Sequence, residues 1–413
     1  MDIEEASYLV RTILSFKYYQ RNTFLINHTR MQSFYALPEK HRKLLQPEFT
    51  EKLALIDEAI EKNAVLARRI ARIGEEMYLG GMEVKMGGPL VPLQKYFSCI
   101  NGLADRRDMN KARSTLKQFV RDWSDEVCII LLDLVDSRAP TSGESAMGLF
   151  SRLWRSYMVL ARLKRSMCSE IGVLTFRADI RVLVPGAGLG RIVYEILCAG
   201  YEVQGNELEF CMLIASNLAL NQYNPFPFVP NNSLGPNNPC DLHPYIHTMS
   251  HHRSTQDLLR SVKIPDLSTT QGITSSGTKA EMSYVAGDFT ECYSLLSDAQ
   301  TFDVVVTIFF IDTAANVCKY LETIHHVLRP GGTWINLGPL AWHFEPEDDS
   351  PAREGGTVEL TLEELCEVIR RWGFEFETRE GLAQRSLRMP YMGNFKGMLT
   401  YVYDAEFWVA RKV

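Results

Sequence analysis

The chain has 413 residues, of which 46% are hydrophobic and 23% charged, and its formal net charge is −6 with an isoelectric point near 5.9. This profile is that of an ordinary globular protein, and the length favours two domains or one decorated domain over a single compact core. The acidic balance argues against a protein that coats nucleic acid, and no apolar run approaches the roughly 20 residues that a membrane span needs.

The N-terminus and the cysteines bear on location. The opening sequence MDIEEASYLV has acidic residues where a signal peptide would carry basic ones, and the nine cysteines occur singly with no C-x-x-C pair. A reduced intracellular compartment is therefore favoured over a disulfide framework. We expect a soluble cytoplasmic protein, with a nuclear location also open.

The first 130 residues predict mainly helices. In EKLALIDEAIEKNAVLARRIARIGEEM, the apolar residues return to one face of a 3.6-residue period; they are Leu53, Ile56, Ile60, Ile70, Ile73 and Met77. A second stripe in ARSTLKQFVRDWS comprises Leu116, Phe119, Val120 and Trp123. No strand alternation of comparable strength precedes residue 180. We predict an N-terminal helical domain over residues 1–150.

From residue 180 onward, strands alternate with helices. RVLVPGAG, YEVQGNE, MSYVAGDF, FDVVVTIFFID and GTWINLGPL predict strands, with helices over 191–199, 208–220 and 316–328. TLEELCEVIRRWG carries a capping box, Thr361 with Glu364, and a glycine stop at Gly373. This order predicts an α/β parallel sheet over 151–413. A Pro- and Asn-rich insertion over about 224–281 ends in a polar segment, STTQGITSSGTKAE, which predicts a mobile loop.

A glycine-rich turn follows the first predicted strand of this sheet. VLVPGAGLGR places Gly186, Gly188 and Gly190 where a strand turns into a helix, and such glycines let the backbone approach a ligand closely. Glu207 ends the next strand, where an acid commonly binds the two hydroxyls of a ribose. The alternative is a tight strand–helix turn without a ligand. The whole pattern favours a nucleotide-type ligand.

The spacing of the glycines distinguishes between nucleotides. A dinucleotide loop has G-x-G-x-x-G, whereas this chain has G-x-G-x-G followed by Arg191, which disfavours a dehydrogenase. The spacing resembles the first motif of seven-strand S-adenosylmethionine-dependent methyltransferases, whose sheet is Rossmann-like. That resemblance implies that Asp288 reads the adenine amino group and that Phe289 covers the base. Alone, these two residues would read as a turn aspartate and a core phenylalanine.

Further motifs resemble the carnosine N-methyltransferase family. They are VLVPGAGLGR, GNE, GDF, FFIDTA, RPGGTWINLGPL followed by WHF, a terminal Y-x-x-x-FWVARK, and STLKQFVRDWS in the helical part. The resemblance implies methyl transfer from the cofactor S-adenosyl-L-methionine to the π nitrogen of the histidine ring of carnosine, giving anserine. It also implies that Gln118, Arg121 and Thr307 contribute to the cofactor site. Without it, Gln118 and Arg121 would read as a solvated helix face.

Asp312 stands at the carboxyl end of an apolar strand, where a carboxylate without a partner is unfavourable. Ligands of doubly wound sheets bind beyond the carboxyl ends of the strands, so we expect Asp312 to face the substrate. We expect Asp312 and His343 to be the catalytic, substrate-binding residues, and the sequence leaves open which of the two bonds the imidazole. The alternatives are a helix cap for Asp312 and a structural role for His343. Tyr403 matches a family tyrosine that contacts substrate, and its alternative is ordinary strand packing.

Four histidines, His243, His247, His251 and His252, recur in the predicted insertion. They suggest either a zinc site or a lid over the substrate pocket, and the lid is favoured because no acid has metal-ligand spacing. We therefore predict no metal. The expected partner is a small histidine-containing dipeptide, without nucleic acid or membrane, and a homodimer is open. The rival functions are a histidine methyltransferase acting on peptides or proteins, and a non-catalytic cofactor-binding module.

Overall fold

The structure is a computed structural model, and it describes residues 1–85, 90–99, 104–124, 179–221, 240–344, 356–376, 387–391, 394 and 396–413. The predicted domain boundary at residue 150 lies outside these ranges, as does the part of the predicted insertion before residue 240. The described chain divides into two compact units. The first comprises Met1–Val127, Phe210–Thr269 and Tyr391–Tyr401, and the second comprises Cys128–Glu209, Thr270–Pro390 and Val402–Val413.

Helices dominate the N-terminal part, as predicted. They are α1 (Ile3–Lys17), α2 (Tyr19–Tyr35), α3 (Glu39–Leu45), α4 (Glu48–Gly74), α5 (Leu93–Cys99) and α6 (Arg106–Asp122). A short antiparallel pair, β1 (Glu83–Lys85) and β2 (Leu90–Pro92), precedes α5, and the sequence pattern did not indicate it. The strands are three residues each, which is too short for a period-2 alternation to be visible.

The C-terminal part alternates strands and helices. Its elements are β3 (Arg181–Pro185), α7 (Arg191–Cys198), β4 (Glu202–Glu207), α8 (Phe210–Asn221), β5 (Cys240–Leu242), α9 (Thr255–Leu258), β6 (Val262–Ile264), α10 (Thr269–Ser276), β7 (Met282–Ala286), α11 (Phe289–Cys292), β8 (Phe302–Ile308), α12 (Val317–Val327), β9 (Leu328–Gly338), α13 (Leu362–Arg371), β10 (Phe374–Phe376), β11 (Leu387–Pro390) and β12 (Val402–Lys412). No helix among the described residues combines the length and the hydropathy that crossing a membrane requires.

The second unit is built on one mixed sheet, which confirms the predicted fold class. Seven strands follow the order β10-β12-β9-β8-β3-β4-β7, and β11 pairs with β12 beside this path. The central pairs β3–β4, β3–β8, β4–β7 and β8–β9 are parallel, whereas β12 runs antiparallel to β9. The carboxyl ends of β3, β4, β7, β8 and β9 therefore share one rim of the sheet, and β12 begins at that rim.

Apolar side chains bury both faces of this sheet. On one face, Trp334 of β9 meets Trp408 of β12 edge-on, with 5.6 Å between ring centroids, and both are fully buried. The opposite face buries Val182, Val304 and Ile335. At about 25 cal/mol per Å² of apolar surface removed from water, burying one large aromatic side chain contributes several kcal/mol.

In the first unit, the apolar stripe of α4 is buried at Leu53, Ile56, Ile60, Ile70 and Ile73, as predicted. Met77 is the exception, because it is 40% exposed. A π-helical turn over Glu75–Leu79 follows α4, and its wider turn moves Met77 off the buried stripe and brings Tyr78 inward. The stripe predicted for α6, Leu116 to Trp123, is buried throughout.

The polar segment at 268–281 was predicted to be a loop, and this was wrong for its first half. Residues Thr269–Ser276 form α10. Thr269 is buried and its hydroxyl donates to Leu220 O, 3.3 Å away. Within the second unit, Gly272 packs so closely under Tyr194 that any Cβ would overlap the tyrosine hydroxyl. Tertiary packing thus overrides the weak helix propensity of this sequence.

Candidate active site

The glycine loop between β3 and α7 has the backbone that only glycine adopts readily. Gly186, Gly188 and Gly190 have φ values of +65°, +54° and +79°. Gly190 forms the N-cap of α7, so the first turn of that helix begins directly after the loop. A Cβ added to Gly186 would lie 2.5 Å from Phe310 Cδ2. The loop is therefore tightly packed on one side by an aromatic ring.

Glu207 at the end of β4 holds this loop in place. Its Oε2 accepts a hydrogen bond from Gly188 N at 2.8 Å, and its Oε1 accepts from Leu208 N and Glu209 N, both at 2.9 Å. Burial raises the pKa of this carboxyl, while the three backbone N–H groups oppose that rise. The carboxylate is thus fixed beside the glycine loop, and a ribose contact for it stays a prediction.

Asn206 connects the loops after three strands, although sequence reasoning did not single it out. Its Nδ2 donates to Val285 O at 3.2 Å and to Gly287 O at 3.0 Å, while its backbone O accepts from Ala187 N at 2.9 Å. It is almost fully buried. Its place in the GNE motif was the available signal, since a buried amide requires hydrogen-bond partners on its neighbours.

Asp288 follows β7 and caps the short helix α11. Its Oδ1 accepts from Thr290 N at 2.8 Å, from Thr290 Oγ1 at 2.6 Å and from Glu291 N at 3.3 Å. Within the described chain, no hydrogen bond to Asp288 Oδ2 is formed. This geometry is compatible with a turn aspartate and also with the predicted adenine contact. Capping of α11 uses Oδ1, and Oδ2 stays available.

An aromatic cluster lies beside Asp288. The Phe289 ring meets Phe310 and Tyr320 edge-on at 5.6 and 5.5 Å, and Phe310 stacks on Tyr320 at 4.6 Å with 10° between the planes. Because Phe310 also contacts Gly186, this cluster connects the glycine loop with the segment after β8. Phe289 thus belongs to a packed cluster at the rim.

Tyr320 is a second residue that sequence reasoning missed. Burial raises the pKa of its hydroxyl, and the carboxylates of Asp288, Glu207 and Asp312 raise it further, so all three acids act on one phenol. Thr313 Oγ1 lies 3.2 Å from Tyr320 Oη. The predicted cofactor residues Glu207 and Asp288 and the predicted substrate residue Asp312 therefore all lie near the Tyr320 hydroxyl. In the sequence, Tyr320 reads as one more apolar residue of helix α12, so the pattern gave no reason to single it out.

Asp312 lies in a 3₁₀ turn, Ile311–Thr313, and is 4% exposed. Its Oδ2 accepts from Ala341 N at 2.9 Å, and its backbone O accepts from His343 N at 3.1 Å. Burial raises the pKa of Asp312, while the Ala341 N–H and the His343 side chain oppose that rise. The alternative of a helix cap is wrong, because Asn316 caps α12 through Cys318 N.

His343 and Tyr403 lie at the same rim. The side chain of His343 is exposed, and its backbone is held to Asp312. Tyr403 of β12 packs against Phe309 with 5.9 Å between ring centroids. Phe309 has φ +51° and rests against Gly338, where a Cβ would lie 3.1 Å from Phe309 Cα. A non-glycine residue in this region is strained, and such strain often accompanies functional sites.

Thr307, predicted at the cofactor site, is fully buried between β8 and β9. Its Oγ1 donates to Asn336 Oδ1 at 2.8 Å and accepts from Trp334 Nε1 at 2.9 Å. This side chain therefore supports the two strands beneath the rim, and a cofactor role for it stays a prediction.

We expect Thr307→Val to lower the free energy of unfolding by about 2 kcal/mol, because the indole N–H and the Asn336 carbonyl would both lose a buried partner. Urea unfolding followed by circular dichroism measures the change. Thr274→Val is the matched control, since the Thr274 hydroxyl lies on an exposed helix surface. Equal losses in the two variants would contradict the assignment.

Gln118 and Arg121 lie on α6 in the first unit. Arg121 makes a bidentate pair with Asp122, with Nε–Oδ1 at 2.6 Å and Nη2–Oδ2 at 2.8 Å, and its Nη1 lies 3.4 Å from Tyr391 Oη. Although burial alone would lower the pKa of Arg121, the Asp122 carboxylate raises it above its ordinary value. Asp122 therefore already neutralises this guanidinium, and a cofactor role for Gln118 and Arg121 stays a prediction.

The four histidines of the predicted insertion also lie in the first unit. His243 Nδ1 bonds Leu259 O at 2.7 Å, His247 Nε2 lies 2.8 Å from Tyr19 Oη, and His252 Nδ1 lies 3.1 Å from Asp257 Oδ2. In the described ranges, no group of three or more His, Cys, Asp or Glu side chains is arranged to hold a metal ion. A role for these histidines as a lid stays a prediction.

We expect the protein to lose stability on acidification through His247. Burial, with the charges of Arg113 and Lys117, lowers the pKa of His247 to about 3, so the unfolded chain binds a proton that the folded chain excludes. Stability should therefore fall as pH drops from roughly 6.5 towards 3, by up to about 1.4 kcal/mol per pH unit. Urea unfolding between pH 8 and 5 should show a shallower decline for His247→Asn; identical slopes would contradict this.

Comparison with known proteins shows the family of this chain. The family profile for carnosine N-methyltransferase matches residues 152–413. The chain belongs to the carnosine N-methyltransferase family. It is 34% identical to the carnosine N-methyltransferase of Schizosaccharomyces pombe over 99% of this chain and 97% of that one, and 32% identical to the Mus musculus protein over 99% and 86%.

The protein is accordingly an N-methyltransferase that uses S-adenosyl-L-methionine, as the sequence predicted. Among solved structures, it is similar to an S-adenosylmethionine-dependent methyltransferase from Methanosarcina mazei, with a TM-score of 0.30 and 14% identity over 57% of this chain and 93% of that one. The family membership and the mixed α/β sheet identify the rim of the second unit as the candidate active site.

Proposed function

We propose that this enzyme methylates the π nitrogen of the imidazole ring of carnosine and produces anserine. The observation that carries the proposal is the buried carboxylate of Asp312, which lies at the rim beside the glycine loop with Oδ2 held by Ala341 N. Apart from the backbone N–H of Asp312 itself, the described residues offer this carboxylate one hydrogen-bond donor, Ala341 N, which bonds Oδ2 and not Oδ1. That oxygen can accept an N–H from a substrate ring.

The residues of the rim fit the cofactor. Three glycines with positive φ let the loop backbone approach a ligand closely, and Glu207, fixed by Gly188 N, offers its carboxylate to the ribose hydroxyls. Asp288 would offer its Oδ2 to the adenine amino group, and Phe289 would cover the base. S-adenosyl-L-methionine, when bound, supplies a methyl group on a sulfonium sulfur, and this sulfur leaves readily as a neutral thioether.

The carboxylate of Asp312 selects the reactive form of the substrate ring. A neutral imidazole has one N–H and one lone pair, and only the nitrogen with the lone pair can be methylated. If Asp312 accepts the N–H of the τ nitrogen, the π nitrogen presents its lone pair. As the N–C bond forms and the S–C bond breaks, the ring becomes cationic, and the adjacent carboxylate stabilises that charge. The τ nitrogen then loses its proton to solvent, and the methylated ring becomes neutral.

His343 and Tyr403 are proposed to hold the rest of the dipeptide. The Asp312 O–His343 N bond fixes His343 beside the catalytic carboxylate, and the Tyr403 ring offers an apolar face with a hydroxyl. Such contacts position the nucleophile, and positioning supplies much of the rate in a displacement of this kind. Asp312 is then the catalytic residue and the other two bind substrate.

The remaining organisation is also proposed. Residues 1–150 would form a helical domain that includes Gln118 and Arg121, and residues 151–413 the methyltransferase domain with an insertion at about 224–281. The substrate would be a small dipeptide, with no nucleic acid partner. The net charge of −6 supports the last point. A homodimer and a cytoplasmic or nuclear location are open to test.

The purified enzyme should be incubated with S-adenosyl-L-methionine and carnosine, and the product analysed by mass spectrometry and NMR. A methyl group on the π nitrogen lies beside the β-CH₂ group and gives a nuclear Overhauser effect to it, whereas a τ-methyl group does not. We expect that effect and co-elution with authentic anserine. A τ-methyl product would overturn the tautomer assignment. No product from carnosine would shift the proposal to histidine in peptides or proteins.

A further inference from the structure

Three cationic side chains in the first unit surround His247. Arg30 of α2 donates through Nη2 to His247 O at 2.8 Å. Arg113 and Lys117 of α6 are four residues apart and therefore share one side of that helix. The charges of all three act on the His247 ring. Each side chain is half-buried, so the group is partly shielded from water but still reachable from it.

None of the three cations pairs with a carboxylate among the described residues. Burial lowers the pKa of Arg30, Arg113 and Lys117, and like charges lower it further for the two arginines. Arg113 Nε is buried, and no described residue bonds to it. Arg121, on the same helix, differs because Asp122 neutralises it. Half-buried positive charges without a counterion are unfavourable unless a ligand supplies one.

The polar groups around the cations are neutral and fixed. Asn63 Nδ2 donates to Tyr19 Oη at 3.2 Å and to His243 O at 2.8 Å, and Tyr19 Oη lies 2.8 Å from His247 Nε2. Burial raises the pKa of Tyr19 to about 12, so it carries no charge at neutral pH. This network fixes the position of the His247 ring and adds no negative charge.

We propose that Arg30, Arg113 and Lys117 form a binding site for a small oxyanion, either a carboxylate or a phosphate group. Two guanidinium groups and one ammonium are the donor set that recognises such groups, since guanidinium presents paired N–H donors and ammonium a compact charge. All three residues belong to the first unit, and the proposal does not rest on the proposed methyl transfer.

The full-length protein tests this without S-adenosyl-L-methionine or carnosine. Its melting temperature is followed during titration with inorganic phosphate and, separately, with acetate, while sodium chloride keeps ionic strength constant. Isothermal titration calorimetry with phosphate gives the affinity. Arg113→Gln combined with Lys117→Met removes two of the three charges, and Arg107→Gln is the matched control because it removes one exposed charge from the same helix.

We expect phosphate or acetate to raise the melting temperature of the wild type and of Arg107→Gln beyond the effect of chloride, and the double variant to bind at least tenfold more weakly. The anion that raises the melting temperature more shows whether the site prefers a phosphate group or a carboxylate. Without added anion, the double variant should melt no lower than the wild type, because repulsion is relieved. If it does not fold, Lys117→Met alone serves the same comparison. Stabilisation no greater than that by chloride, or unchanged affinity in the variants, would overturn the proposal.

Discussion

Asp312→Asn is expected to lower kcat/KM for carnosine by about 100- to 1000-fold, equivalent to roughly 2.7–4 kcal/mol of transition-state stabilisation. The amide oxygen can still accept from Ala341 N, so the turn and the loop after β9 should keep their positions. The amide nitrogen then replaces Oδ1 and presents N–H donors to the substrate ring. It can neither accept the ring N–H nor stabilise the cationic product.

Asparagine is the sharper choice here, because Asp312→Ala would also leave the Ala341 N–H without its partner and confuse chemistry with folding. Calorimetric titration with S-adenosyl-L-methionine is the control, and its affinity should match that of the wild type. A variant that keeps kcat/KM within threefold of the wild type would refute the catalytic role. Equal loss of cofactor affinity and activity would instead assign Asp312 to the cofactor site.

The parallel sheet and its rim could be predicted from the sequence because their signals are local. A buried strand that ends in glycines, followed by a helix and a strand that ends in an acid, indicates a ligand site within about 30 residues. The structure brings the loop and Glu207 together through the Gly188 N bond. Asp288 and Asp312 were likewise expected at one rim because both follow the carboxyl ends of strands. In the structure, both carboxylates raise the pKa of the same side chain, Tyr320.

The residues that were missed depend on contacts between distant segments. Tyr320 reads as part of an ordinary apolar helix face, and only packing reveals that its ring stacks on Phe310 near three carboxylates. Asn336 reads as a polar interruption of a strand, whereas it bonds Thr307 across the sheet. The cations around His247 come from segments more than 80 residues apart in sequence. No local spacing encodes such proximity.

Gly186→Ala should distort the glycine loop and destabilise the second unit. The new methyl group would lie 2.5 Å from Phe310 Cδ2, inside the contact distance of carbon atoms, and the backbone there has φ +65°. A left-handed conformation costs an alanine about 1–2 kcal/mol even in open space. The clash adds to this, because Phe310 is stacked on Tyr320 and cannot retreat without breaking that contact.

Gly277→Ala separates the cost of the backbone angle from the cost of the clash, because Gly277 has φ +63° and, its chain neighbours aside, no atom of the described residues lies within 4 Å of the added Cβ. That control should lose only about 1–2 kcal/mol of unfolding free energy and keep cofactor affinity. Gly186→Ala should lose more and bind S-adenosyl-L-methionine at least tenfold more weakly, as measured by calorimetry. Adding Phe310→Leu to it should restore part of the affinity, since the smaller side chain makes room. If Gly186→Ala behaved like Gly277→Ala, the aromatic ring would not shape the loop, and its backbone angle alone would explain the glycine.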